Sequence, residues 1–198
     1  MNILHIITSP HGEASVSKKL GNAIVAQLQE THKGAAVKTA DLVQHPFPHL
    51  DADLVKAIRT KAEDQTPDQK ALLQRADEAV KDLQEANAIV ISIPFFNFGI
   101  PSVLKSWLDH VTRAGVTFRY GEKGPEGLLT GKKVYLAIAS GGIYSGGPMQ
   151  TYDHAVPYLK SILGFIGITD VQVLRAEGMG IPALAPHALD KAVSEIAV

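Results

Sequence analysis

Residues 88–111, AIVISIPFFNFGIPSVLKSWLDHV, carry three phenylalanines, an asparagine and a glycine on a loop that follows a near-continuous apolar run. Large aromatics on a loop are ordinarily a liability, because loops lie at the surface. Just past the C-terminal end of a buried parallel strand they become a platform for a flat ligand, since open α/β sheets bind there. The plainer alternative is that Phe95, Phe96 and Phe98 pack the loop against the core. A second stretch, T-S-P-H-G-E-A-S-V-S-K-K, places Ser9, Ser15 and Ser17 ahead of a helical pattern. Hydroxyl donors and the free N–H groups of a helix N-terminus suit a phosphate dianion. Otherwise these are one N-capping serine and two solvated neighbours. A third, A-S-G-G-I-Y-S-G-G-P, offers main chain with little side-chain bulk at Ala139, Ser140, Gly141 and Gly142, where a ligand can approach closely. A simple glycine-rich turn reads equally well.

Five short apolar runs must position these loops: Asn2–Ile7, Ala36–Asp41, Ala88–Ile93, Lys133–Ala139 and Val171–Ala176. Helical patterns separate them, the signature of βαβ units and a parallel sheet. A helix from about Ser17 to Thr31 aligns Leu20, Ile24 and Leu28. Thr66, Pro67 and Gln69 form a T-x-x-Q capping box for a helix with Leu72, Ala76, Val80 and Leu83 as its inward stripe. A helix opening at Pro101 turns Val103, Leu104, Trp107, Leu108 and Val111 inward, Trp107 as core. Another near residue 157 does so with Val156, Leu159, Ile162, Leu163 and Ile166, and the last runs from about Pro186. Five such units predict an α/β, flavodoxin-like, doubly wound five-stranded parallel sheet of order 2-1-3-4-5 with helices on both faces. Two segments exceed this plan: the connection 42–66, rich in Pro, His and Asp, and 115–128, which reads as a small hairpin or flap.

The 198 residues are most simply one domain, 1–198. A net charge of −1 gives no reason to expect nucleic acid or a membrane surface as partner. Zero cysteines exclude disulfides, thiolate nucleophiles and iron–sulfur clusters. MNILHIIT lacks the basic and long apolar regions of a signal peptide, and no run is long enough to span a membrane, so a cytoplasmic protein is expected. His45 and His49 are separated by prolines that preclude a helical metal pair, so no metal site is expected. Gly127, Gly131 and Lys132 have the wrong spacing for a phosphate-binding loop, and Ser140 is not in a nucleophile elbow.

Together the three loops supply a phosphate seat, an aromatic platform and backbone donors, which are the needs of flavin mononucleotide (FMN). P-F-F-N-F (94–98), R-A-G-V-T-F-R-Y (113–120), G-P-E-G-L-L-T-G-K-K (124–133) and L-G-F-I-G-I-T-D-V (163–171) extend the comparison over essentially the whole chain. On these motifs the sequence resembles the FMN-dependent NADH-azoreductases, relatives of the flavodoxin-like NAD(P)H:quinone reductases. The resemblance implies bound FMN, with Ser9, Ser15, Val16 and Ser17 at its phosphate. It places Phe95, Phe96, Asn97 and Phe98 along the ring and ribityl chain, and Ala139, Ser140, Gly141 and Gly142 at the pyrimidine edge. The family often has S-R-G-G in the last loop and Tyr at position 96; neither the arginine nor that phenol is present here.

The same resemblance implies ping-pong, two-electron reduction of quinones and azo compounds by NADH, with NADPH as the alternative donor. The flavin N5 carries the hydride and no side chain is itself catalytic. Phe98, Tyr120 and Ile162 are the expected substrate-pocket residues, and a homodimer with its sites at the interface is expected. The competing reading is a non-catalytic flavoprotein, either an electron carrier or a regulatory subunit of a transporter. Near-neutral charge and the 115–128 flap count against it. A phospho-acceptor receiver lacks the paired acidic residues at the end of the first strand.

Overall fold

The computed structural model describes residues 1–198 and contains the five parallel strands at the expected places. They are β1 (Asn2–Ile7), β2 (Ala36–Asp41), β3 (Ala88–Pro94), β6 (Lys133–Ala139) and β7 (Asp170–Ala176), hydrogen-bonded in the order β2-β1-β3-β6-β7. This is the predicted 2-1-3-4-5 order, with a separate antiparallel hairpin of β4 (Phe118–Gly121) and β5 (Gly124–Gly127) inside the 115–128 segment. Every residue of β3 is buried, because helices cover both faces of a central parallel strand.

Alternate residues enter opposite cores. Ile3, Val90 and Tyr135 pack beneath α1 (Val16–Thr31) and α6 (Ala185–Ser194), joined by Leu20, Ile24, Leu28 and Ala192. Their neighbours Leu4, Ile91 and Leu136 face α3 (Pro67–Glu85), α4 (Ser102–Val111) and α5 (Ala155–Phe165), with Val80, Leu104, Trp107, Leu159 and Leu163. The Thr66–Gln69 capping box is formed in both directions.

Three local expectations change. The 42–66 connection contains a further helix, α2 (Ala52–Arg59), whose N-cap Asp51 accepts a hydrogen bond from the Leu54 amide at 2.8 Å. Leu54 and Ala57 of that helix pack against Leu73. The inward stripe of α3 therefore begins at Leu73, and Leu72 is 51% exposed. Pro101 precedes α4 and accepts hydrogen bonds from the Leu104 and Lys105 amides through its carbonyl.

The hairpin is secured at its root. Thr117, fully buried, donates its hydroxyl to the Val111 carbonyl at 2.7 Å and accepts from the Arg113 amide at 2.9 Å. On the return side the Leu129 amide donates to the Ile166 carbonyl at 2.8 Å.

Candidate active site

The strand order reverses between β1 and β3, which opens a crevice at their C-terminal ends. The ends of β1 and β3 are tied together: Thr8 donates both its amide, at 3.2 Å, and its hydroxyl, at 2.7 Å, to the Ser92 carbonyl. Behind this junction His5 Nε2 lies 2.8 Å from Ser92 Oγ, both buried beneath Gly21 of α1. A Cβ on Gly21 would stand 2.1 Å from Ser92 Oγ and 2.7 Å from His5 Nε2, so only glycine lets the helix sit this low. Burial, reinforced by the nearby Lys18 charge, pushes the His5 pKa down to about 4.

At the mouth of α1, Ser15 is the N-cap and accepts from the Lys18 amide at 3.2 Å, while its hydroxyl lies 3.1 Å from that of Ser17. The Val16 and Ser17 amides have no acceptor inside the helix, as its geometry requires. Hydroxyls and unpaired N–H groups thus converge at the positive end of a helix dipole.

The aromatic loop is anchored by the Phe95 amide, which donates to the Ala139 carbonyl at 2.8 Å. Phe96 and Gly99 then exchange backbone hydrogen bonds around a two-residue turn at Asn97 and Phe98. Both have positive φ, 47° and 67°. Asparagine tolerates this region; phenylalanine does so only under external restraint. Phe98 is restrained by the His154 amide, which donates to its carbonyl at 3.0 Å, and by the ring of Tyr152 at 5.1 Å.

The glycine loop after β6 is laced to the segment after β7. The Met179 amide donates to the Ser140 carbonyl, the Gly180 amide to the Gly141 carbonyl, and the Gly178 amide to the Gly142 carbonyl. Ser140 turns inward and donates its hydroxyl to the Gly142 carbonyl at 2.8 Å.

A cleft of about 220 Å³ joins Ser9, Ser15, Val16, Ser17, Phe95, Phe96, Ala139, Ser140 and Gly141. Asn97, Phe98 and Gly142 belong to the same loops but not to its walls. Tyr120 stands on the hairpin, 74% exposed, and Ile162 lines another groove of about 260 Å³ with Val55, Ile58, Leu108 and Tyr158. His11 and Met179 line the cleft without having been singled out in the sequence. Met179 could have been found by including the loop after the fifth strand, because β7 is the neighbour of β6. His11 is the one acid–base side chain among the wall residues, with no Asp, Glu, Lys, Arg or Tyr beside it, so the cleft has no acid–base pair for hydrolytic chemistry. Larger hollows beside β2 and beside β7 lie away from the strand-order reversal.

These residues fit a flavin nucleotide: an anion seat, apolar aromatic surface and open backbone meet at one rim. Fold and site together define a flavodoxin-like protein, and a family model described as "Flavodoxin-like fold" matches residues 1–198. The chain is 44% identical over 197 residues to an FMN-dependent NADH:quinone oxidoreductase of Mesorhizobium japonicum, covering 99% of this chain and 94% of that protein. The crystal structure of an azoreductase from Bacillus anthracis superposes with a TM-score of 0.90 at 31% identity, over 98% of this chain and 96% of that one. An FMN-dependent NADH-azoreductase from the same species, solved in complex with FMN, gives 0.87 at 29% identity, over 98% and 95%. The chain belongs to the family of FMN-dependent NADH:quinone oxidoreductases and azoreductases.

Proposed function

We propose that this chain is an FMN-dependent oxidoreductase that takes two electrons from NADH and delivers them to quinones and azo compounds. The observation that carries the reading is the convergence of Ser15 and Ser17, Phe95 and Phe96, and Ser140 and Gly141 on one cleft. Ser9, Ser15, Val16 and Ser17 would hold the phosphate through hydroxyls and helix-terminal amides. Phe95, Phe96, Asn97 and Phe98 would flank the ring and ribityl chain, and Ala139 to Gly142 would meet the polar edge. Bound FMN supplies the hydride-transfer chemistry, so the protein must orient two planar reactants in turn and keep water from them. A wall without Lys, Arg, Asp or Glu suits that task.

The enzyme reading is favoured over a non-catalytic carrier by relatives named as oxidoreductases across nearly the full chain. We read residues 1–198 as one FMN-binding domain of a cytoplasmic homodimer. No helix is long and apolar enough to cross a membrane. In this reading the apolar groove containing Ile162 is a subunit interface, and Phe98, Tyr120 and Ile162 contact substrate where two copies meet. Neither Tyr120 nor Ile162 lines the cleft of its own chain, so a second copy would have to bring them to the site.

The test is purification followed by anaerobic titration. A yellow protein that NADH bleaches, and that menadione or methyl red restores, is expected. A folded chain that neither retains nor takes up FMN would remove the proposal.

A further inference from the structure

Tyr144 bridges the two loops that form the flat part of the site. Its ring packs against Phe95 at 4.4 Å between centroids and meets Phe98 edge-on at 6.2 Å. On its other side, Cε2 lies 3.2 Å, and Cζ and the hydroxyl 3.3 Å, from where a Cβ on Gly142 would stand. The ring is only partly buried, although it spans from the aromatic loop to the glycine loop. Phe95, Phe96 and Phe98 are pure hydrocarbon, and Tyr144 is the phenol that meets both Phe95 and Phe98. Tyr152 packs on Phe98 alone among these rings.

A loop that reads S-G-G-I-Y-S-G-G-P would lose much entropy on holding one ring in place. One carboxylate holds it. Glu177 Oε1 accepts from the Tyr144 amide at 2.7 Å and the Ser145 amide at 2.9 Å, and Oε2 accepts from the Ser145 hydroxyl. Glu177 is in turn 3.4 Å from Arg175, whose other arm ion-pairs with Asp153. Asp153 accepts from the Ala155 and Val156 amides at 3.0 Å, so the linkage ends on the first turn of α5. All three charged side chains are at least 85% buried, with Arg175 paired to both carboxylates, and none of them lines the cleft.

We propose that Tyr144 is a further contact for the planar part of the flavin, and that Glu177 is the positioning residue that holds it. The assignment rests on the FMN reading above. The test is titration of apoprotein with FMN, following affinity and the fluorescence of the bound flavin. An aromatic contact of ordinary strength makes Tyr144→Ala bind FMN about tenfold more weakly. Tyr144→Phe keeps the affinity but leaves the bound flavin more fluorescent, because an excited flavin oxidises a touching phenol and not a benzene ring. Glu177→Ala weakens FMN about as much as Tyr144→Ala, and the double variant is no worse than either. Glu177→Gln retains the oxygen that receives both amides and keeps most of the affinity, which separates positioning from failure to fold. Wild-type affinity in Tyr144→Ala together with unchanged flavin fluorescence in Tyr144→Phe would overturn the proposal. A wild-type chain that takes up no FMN would instead overturn the flavin reading, and this assignment with it.

Discussion

The backbones of Gly127 and Gly167 are in direct contact, joining the end of the hairpin to the turn that follows α5. A Cβ on Gly127 would stand 2.0 Å from the Gly167 nitrogen and 2.3 Å from the Ile166 carbonyl carbon. Gly167, at φ 102°, meets Gly127 in return. Any side chain at either position must push the hairpin off α5 and break the Leu129 to Ile166 hydrogen bond beside them.

Gly127→Ala should accordingly destabilise the fold by about 2 kcal/mol, an overpacking effect that lowers Tm by about 4–8 °C at this chain length. Gly124→Ala at the hairpin turn is the control. Its φ of 113° makes it strained, yet no atom lies within 4 Å of the added Cβ. Thermal unfolding by circular dichroism separates the two, and hydrogen exchange in residues 118–129 should rise in Gly127→Ala while the sheet stays protected.

The buried His5–Ser92 pair predicts a pH dependence of stability. In the unfolded chain His5 titrates near the ordinary histidine value, whereas in the folded chain its pKa is about 4. Between those values the unfolded chain binds the proton first. The contribution is therefore fully present above pH 6.5, is lost as pH falls toward 4, and then levels off. The total is about 3 kcal/mol. Urea midpoints for wild type and His5→Asn, measured at pH 7 and pH 4.5, should converge in acid because only the wild type loses this contribution. Parallel pH profiles would show that His5 does not titrate as described.

The strands were legible because β1, β3 and β6 are buried on both sides and write themselves as apolar runs. The capping box marked α3 for the same kind of local reason. α2 was missed because its eight residues present only Leu54 and Ala57 as buried positions, too few to show a period. Once α2 was missed, Leu72 and Leu73 could not be told apart, since it is α2 that selects Leu73. The site loops were visible as unusual composition at strand ends. Glu177 and Met179 were not, because each acts through neighbours far along the chain that only the pairing of β6 with β7 supplies.

Phe98 offers a test of backbone strain apart from ring loss. Alanine ordinarily exceeds glycine in stability, but at a φ of 67° the Cβ is itself the burden. Phe98→Gly and Phe98→Ala lose the same contact with Tyr152, and Phe98→Gly should be the more stable by about 1 kcal/mol. Equal urea midpoints would mean that the turn at Asn97 and Phe98 relaxes in solution. Both variants should lower turnover with quinone as well as FMN content, because Phe98 is assigned to the flavin ring and to the substrate pocket alike.

Ser15 and Ser17 separate helix capping from anion binding. Ser15 is the N-cap, so Ser15→Ala should lower stability by about 1 kcal/mol as well as weaken the cofactor. Ser17 is one turn position inside α1, is almost fully buried, and makes its one side-chain hydrogen bond to Ser15. Ser17→Ala should leave the melting temperature of the apoprotein close to wild type while weakening FMN. The loss should be smaller for riboflavin, which lacks the phosphate, and that comparison locates the effect. Ser17→Ala combined with Asn97→Ala should abolish retention of FMN through purification. If the doubly substituted protein is purified with the wild-type flavin content, the phosphate and ring contacts assigned to these loops are misplaced.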